Sequence, residues 1–252
     1  ETIAEHFYWL NIPFVYRIHE EPDMAKIESF NKFIHNFGYR LKGLSNEIHP
    51  HVLQDLLRKI EGKKEERIIS TLMLRSLKKA RYSSENEGHF GLAAVNYCHF
   101  TSPIRRYPDL QIHRIVKEIL AGGLTEERIE ALKQIVDEAA EQSSQRERIA
   151  MEAERETDDL KKTEYMAYHL NEEFDGIISS VVSFGMFVEL ENTIEGLVRI
   201  STLVDDYYIY DEENYLFRGE RTKKTYRIGD TVRVKVVRAD VSQREIDFVF
   251  VE

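Results

Sequence analysis

At Asn171 the apolar pattern of this chain changes period, and nothing else in the sequence restricts the fold as strongly. Before Asn171, apolar residues recur every three or four positions, the spacing of amphipathic helices. After it they alternate, the spacing of strands with one buried face. A chain of 252 residues has room for two domains. We place them at 1–170 and 171–252, an α+β arrangement with the helices first.

Residues 1–10 read as a helix already under way, carried by Ile3, Phe7 and Leu10, with no initiator Met. That suggests a piece of something longer. Residues 12–19 form a short strand-like run, in which His19 reads as structural rather than as a ligand. Helices follow at 22–37, stopped by Gly38, at 49–61, stopped by Gly62, and at 63–82. The third carries Arg67, Arg75, Lys78, Lys79 and Arg81 on its polar side, a stripe that fits a solvated face better than a contact with a polyanion. Residues 88–97 read as extended, with Gly91 where another group comes close. A helix at 125–142 is expected to stop at Ser143-Ser144. There, Ser144 with Glu147 forms a capping box that starts a new helix running to about Leu170. Ile149, Ala153, Leu160 and Ala167 would be its inward stripe.

Beyond Asn171, strands are expected at 174–182, 185–190, 194–200, 231–241 and 245–251, with turns at Gly196 and Gly229-Asp230. Five short strands point to a small closed barrel of the OB type. The stretch 205–226, rich in Tyr and acids, reads as a long connection whose tyrosines pack it down.

Charge limits the function. A formal net charge of −10 argues against coating nucleic acid by bulk electrostatics. The strand-rich part alone has 10 Lys+Arg against 17 Asp+Glu, so stacking must carry much of any affinity for nucleic acid there. The single cysteine, Cys98, excludes an internal disulfide and fits a reducing cytoplasm. No apolar run approaches the ~20 residues of a membrane span.

One segment carries more chemistry than packing requires: His99-Phe100-Thr101-Ser102-Pro103-Ile104-Arg105-Arg106-Tyr107-Pro108-Asp109-Leu110. Ser102-Pro103 looks like a helix entry, 103–106 a tight turn, and Pro108 the first turn of a helix running to about Ala121. Ile112, Ile115, Val116 and Ile119 line its inner face. Arg105 and Arg106 then stand at a helix N-terminus, where dipole and free N–H groups already favour an anion. Two readings stand: a phosphate clamp, or surface arginines tied to an acid such as Asp109.

This run, followed by His113-Arg114 and preceded by Gly88-His89-Phe90-Gly91-Leu92-Ala93, resembles the signature of the ribonuclease II/ribonuclease R family of exoribonucleases, the ribonuclease R branch best. The run from Phe174-Asp175-Gly176 to Phe187-Val188-Glu189-Leu190, then Glu195-Gly196-Leu197-Val198-Arg199 and Gly229-Asp230-Thr231-Val232-Arg233-Val234-Lys235, resembles an S1 RNA-binding domain. The resemblance implies processive 3′→5′ hydrolysis of single-stranded RNA, releasing nucleoside 5′-monophosphates. It implies Arg105 and Glu154 as catalytic. RNA contacts would come from Arg105, Arg106, His113, Arg114, Phe184, Phe187, Arg199, Lys235 and Arg244. Arg199 departs from the family, which usually has His there.

The family's closely spaced metal-binding aspartates have no counterpart here; Asp158-Asp159 and Asp205-Asp206 stand in the wrong surroundings. The expectation is therefore the carboxyl-terminal, mostly helical half of an RNB catalytic domain followed by a five-stranded S1 barrel. Mg²⁺ is expected for the full-length enzyme and ligated by no residue of this chain, which would be monomeric, without membrane contact, and inactive by itself. The competing class is a non-catalytic S1-bearing RNA adaptor. A third, an S1-bearing translation or transcription factor, leaves the arginine segment without a purpose.

Overall fold

The computed structural model describes residues 1–41, 43, 48–63 and 65–251. Lys64, inside the expected third helix, and Glu252, at the end of the expected barrel domain, lie outside the described residues. Contacts divide the chain into two compact units. One holds Glu1–Lys32, Gly38–Lys59 and Met73–Glu152; the other holds Phe33–Phe37, Ile60–Leu72 and Ala153–Glu252.

The helical part has α1 (Thr2–Trp9), α2 (Met24–His35), α3 (Pro50–Ile60), α4 (Glu66–Ser76), α5 (Tyr107–Leu120) and α6 (Glu126–Ala167). Gly38, Gly62 and Gly122 take positive φ just past α2, α3 and α5, where a side chain would be strained. One apolar core gathers Phe7 and Ala4 of α1, Phe14, Ile112 and Ile115 of α5, and Leu132 and Val136 of α6. Val116 and Ile119 pack on its margin. Leu10 and Leu57, expected inward, are exposed.

Three expectations give way to tertiary context. The helix expected to run to Tyr82 ends at Ser76, because Arg81–Ser83 forms a strand, β2, paired antiparallel with β1 (Tyr16–Ile18). That splits the basic stripe: Lys78 and Arg81 both bind Glu20, at 2.7 and 2.9 Å, while Arg67 pairs with Glu189 at 2.6 Å. Next, Ser143-Ser144 does not interrupt α6. Ser144 Oγ donates to the Ala140 carbonyl within the helix and accepts from the Tyr82 N–H, while Glu147 reaches Arg17 instead of capping. The hydroxyl that would have started a new helix is used to dock β2. Finally, 88–97 is not fully extended: Phe90–Leu92 is a 3₁₀ turn. It sits on His19, whose Nδ1 accepts from the Gly91 N–H at 3.1 Å and whose Nε2 meets the Lys78 carbonyl at 2.8 Å. Both contacts are served by the Nε2–H tautomer, so His19 is a buried structural histidine. A Cβ on Gly91 would lie 2.8 Å from that ring.

The far half of α6 contradicts its expected stripe. Ile149 and Ala153 are exposed, and the buried positions are Thr163 and Met166.

Among the described residues, eight further strands follow α6. β3 (Glu173–Val182), β4 (Gly185–Leu190), β5 (Glu195–Arg199), β9 (Thr231–Asp240) and β10 (Glu245–Phe250) close into a barrel in the order β10-β5-β4-β3-β9. All neighbours are antiparallel except β5 and β10. Met186, Val188, Val198, Val234, Val236 and Phe248 fill it. Gly196 is no turn residue. It lies inside β5 beneath Phe248, whose ring a Cβ would meet at 2.5 Å. The 205–226 stretch is also more than a loop. It makes a second sheet of β6 (Tyr208–Asp211), β7 (Leu216–Gly219) and β8 (Thr225–Arg227). Asp206 ties this sheet together, accepting from the Arg221, Thr222 and Tyr207 N–H groups, and those bonds hold its carboxyl far below the usual carboxylate range. Tyr208 and Tyr226 are buried, and Tyr226 stacks on Phe250 at 4.8 Å; Tyr207 stays exposed.

Candidate nucleic-acid interface

The arginine segment folds as a turn locked onto a helix N-terminus. The Ser102 carbonyl accepts from the Arg105 and Arg106 N–H groups at 3.2 and 3.0 Å. Arg106, in extended conformation, is the N-cap of α5, and Pro108 follows in the first turn, where its missing N–H costs nothing. Ser102 does not cap with its hydroxyl. Instead its N–H donates to Asp109 Oδ2 at 2.7 Å, and Arg106 Nη2 donates to the same oxygen at 2.8 Å. The two arginines therefore part ways. Arg106 is spent on a fully buried carboxylate, whereas Arg105 is exposed and its guanidinium makes no ion pair or hydrogen bond with another described residue.

Further along α5, His113 Nε2 lies 2.8 Å from the Phe100 carbonyl, and its ring stacks on Phe100 at 4.4 Å. Arg114 is exposed, its guanidinium 6.0 Å from the Tyr107 ring centre. Glu154 is exposed on α6. Cys98 is buried, which pushes its thiol up to about 11 and leaves it no nucleophilic role.

A network that the sequence did not announce stands behind this turn. Arg17 bonds Glu147 at 2.7 Å and lies over the Tyr82 ring at 4.6 Å; Tyr82 Oη lies 2.9 Å from His99 Nδ1. Burial, then the charges of Arg106 and Arg17, hold the His99 pKa down to about 4. The sign of the consequence is definite. Between an unfolded value near 6.5 and about 4, the unfolded chain takes a proton that the folded chain refuses, so acid destabilises the fold across that window. Urea melts of the chain followed by helical circular dichroism are expected to lose up to about 3 kcal/mol from pH 6.5 to 4 through this one group. In His99→Gln that part of the slope disappears; an unchanged slope means His99 is not its source.

On the barrel, the alternation of β4, β5 and β10 turns one set of side chains outward. Phe187 pairs across to Leu197, Leu197 to Asp247, and Asp247 to Arg238, making one row around the wall. One pleat on, Arg199 lies opposite Gly185, and Lys235 between Val249 and Glu173. Phe184, in the β3–β4 turn, is exposed; its ring stands edge-on to Phe187 at 6.5 Å, and its carbonyl accepts from the Ile200 N–H. Phe184, Phe187 and Arg199 thus fall on the β3–β4 turn and the adjoining strands β4 and β5, whereas Lys235 lies on β9, separated from them by β10 on one side and β3 on the other. Arg244 lies in the β9–β10 turn at the opposite end of these strands, with Glu156 at 3.3 Å. Asp247 lies between Arg199 (3.2 Å) and Arg238 (3.3 Å), a pairing with no signature in the linear sequence.

Among the described residues, no group of three His, Cys, Asp or Glu side chains is placed to hold a metal ion, and no helix is long and apolar enough to cross a membrane.

The fold is thus a helical region carrying an arginine turn, followed by a five-stranded closed barrel of the OB class. Comparison with known proteins names its parts: residues 1–122 match the RNB domain, and residues 168–249 match the S1 RNA binding domain. Ribonuclease R 1 of Lactococcus lactis is 51% identical over 99% of this chain and 31% of its own length; ribonuclease R of Thermotoga maritima is 47% identical over 100% and 36%. Among solved structures, Mycoplasma genitalium RNase R in complex with ribose methylated single-stranded RNA superposes with a TM-score of 0.92 at 29% identity, over 100% of this chain and 40% of that one. The chain belongs to the ribonuclease II/ribonuclease R family, and it spans about a third of the length of these curated relatives.

Proposed function

We propose that this chain supplies part of the RNA channel and the S1 contact surface of a processive, hydrolytic 3′→5′ exoribonuclease of the ribonuclease R type, which releases nucleoside 5′-monophosphates in the cytoplasm and acts as a monomer. The observation that carries this reading is Arg105: an exposed, unpaired guanidinium on a turn pinned at both ends, beside the N-terminus of a 14-residue helix. Such a group grips a phosphodiester through two parallel hydrogen bonds and offsets charge that builds during its cleavage. On the family motif, His113 and Arg114 are assigned to the channel with Arg105, and Glu154 is assigned a catalytic role. The helical region through Leu170 is one domain and the barrel from Asn171 the other.

On the barrel, Phe184 and Phe187 stack bases without regard to sequence and Arg199 holds the backbone beside them, while Lys235 on β9 and Arg244 at the far end hold it elsewhere on the wall. Arg199 replaces the family's usual His and keeps both a flat stacking face and a fixed charge.

Hydrolysis by paired metal ions needs a carboxylate cluster. The described residues do not fit one, so no step is assigned to a metal here. The Mg²⁺ that the family motif implies would be bound elsewhere in the complete protein.

The test is an assay of 3′-labelled single-stranded RNA with Mg²⁺. The complete gene product is expected to release mononucleotides, and the 252-residue chain alone to release none. A complete product that binds RNA without shortening it would make the protein an S1 adaptor.

A further inference from the structure

We propose that Asp109 is a positioning residue, a latch that holds the turn carrying Arg105 in place; this rests on the function proposed above. Asp109 is 0% exposed. Its Oδ2 takes the Ser102 N–H and the Arg106 guanidinium, so one oxygen closes both ends of the turn. One helical turn later on α5, His113 holds the Phe100 carbonyl just upstream. The segment from Phe100 to Arg106 is thereby tied to α5 from both sides.

The latch is costly, which argues that it is more than packing. Asp109 Oδ1 and Arg106 Nε are buried with no hydrogen-bond partner among the described residues. A buried carboxylate left half-satisfied is less stable than an apolar side chain of the same size. Such groups persist where geometry matters more than stability. Here the geometry served is that of Arg105. Its neighbour Arg106 neutralises Asp109, so the turn is closed without drawing on the Arg105 charge. A guanidinium on a loose turn must be ordered by each substrate in turn; on a latched turn it waits in register, and a shift of about 1 Å in such a group costs roughly 10²-fold in rate.

Two measurements test the latch. In the complete product, Asp109→Asn is expected to lower kcat by about 100-fold, with KM for a short single strand nearly unchanged. Adding it to Arg105→Ala is expected to lower kcat no further, because the latch acts only through Arg105. A merely structural role predicts the opposite, a further loss in the double variant, and that result, or an Asp109→Asn enzyme with normal kcat, overturns the proposal. Should Asp109→Asn not fold, Arg106→Gln with Asp109→Asn removes both buried charges together and is read the same way. The second measurement needs no activity. Amide exchange at Arg105 and Arg106 in the 252-residue chain is expected to quicken at least tenfold in the variant while the barrel amides are unchanged. Unchanged exchange refutes the latch whatever the enzyme does. If the complete product shows no nuclease activity but exchange quickens, the functional reading fails and the latch has no reaction to serve, which overturns the positioning role as well.

Discussion

Arg105→Ala in the complete protein is expected to lower kcat for RNA shortening by about 10²–10³, the loss that follows removal of one preorganised group from a developing negative charge. Two features make the expectation specific. Arg105 has no partner among the described residues, so its removal leaves no buried charge orphaned and the fold is unaffected. Arg106 cannot substitute, since its guanidinium is held by Asp109 at 2.8 Å. Affinity for single-stranded RNA is expected to hold within a factor of about two, because the barrel's stacking surface is untouched. Single-turnover rates and binding titrations on the same preparation separate the two quantities. A variant with full turnover would leave the arginine turn without a role in the reaction.

The second large effect belongs to the barrel. Each base stacked on an aromatic ring contributes about 1–3 kcal/mol. Phe184→Ala with Phe187→Ala is therefore expected to weaken binding of a labelled oligonucleotide to the 252-residue chain by about 30-fold or more. Thermal stability should change little for Phe184, which is 54% exposed, and somewhat more for half-buried Phe187. The binding that remains rests on the barrel's few Arg and Lys contacts to the backbone, so it should weaken as salt rises, with a slope set by their small number. Fluorescence anisotropy at two ionic strengths measures both. Undiminished affinity in the double variant would move the contact surface away from the β3–β4 turn.

Several elements could be read from local pattern because local physics decides them. Pro108 can occupy only the first turn of a helix, so the start of α5 was visible at once. The alternation after Asn171 reports strands with one buried face, and five such runs close into a barrel. The 205–226 stretch was harder. Its strands are three or four residues long, too short for alternation to register, and their pairing depends on Asp206, whose partners lie 15 and 16 positions away. Arg81 and Tyr82 fit the helical spacing before them for the same reason: the three-residue strand at 81–83 exists because β1 lies beside it.

What the sequence determined by itself is the change from helical to strand spacing at Asn171, the five barrel strands and the turn before α5, all of which follow from spacing and from the backbone limits of Pro and Gly. What only the tertiary structure decided is which groups remain available. Arg105 and Arg106 are adjacent and chemically identical, yet a buried carboxylate claims one and leaves the other exposed. Ser144 could have begun a helix or lain within one, and contact with Tyr82 chose the second. Spacing tells which residues a helix or strand turns the same way. It does not tell which partner a side chain will find across the fold, because that partner is brought close by packing and not by position in the chain.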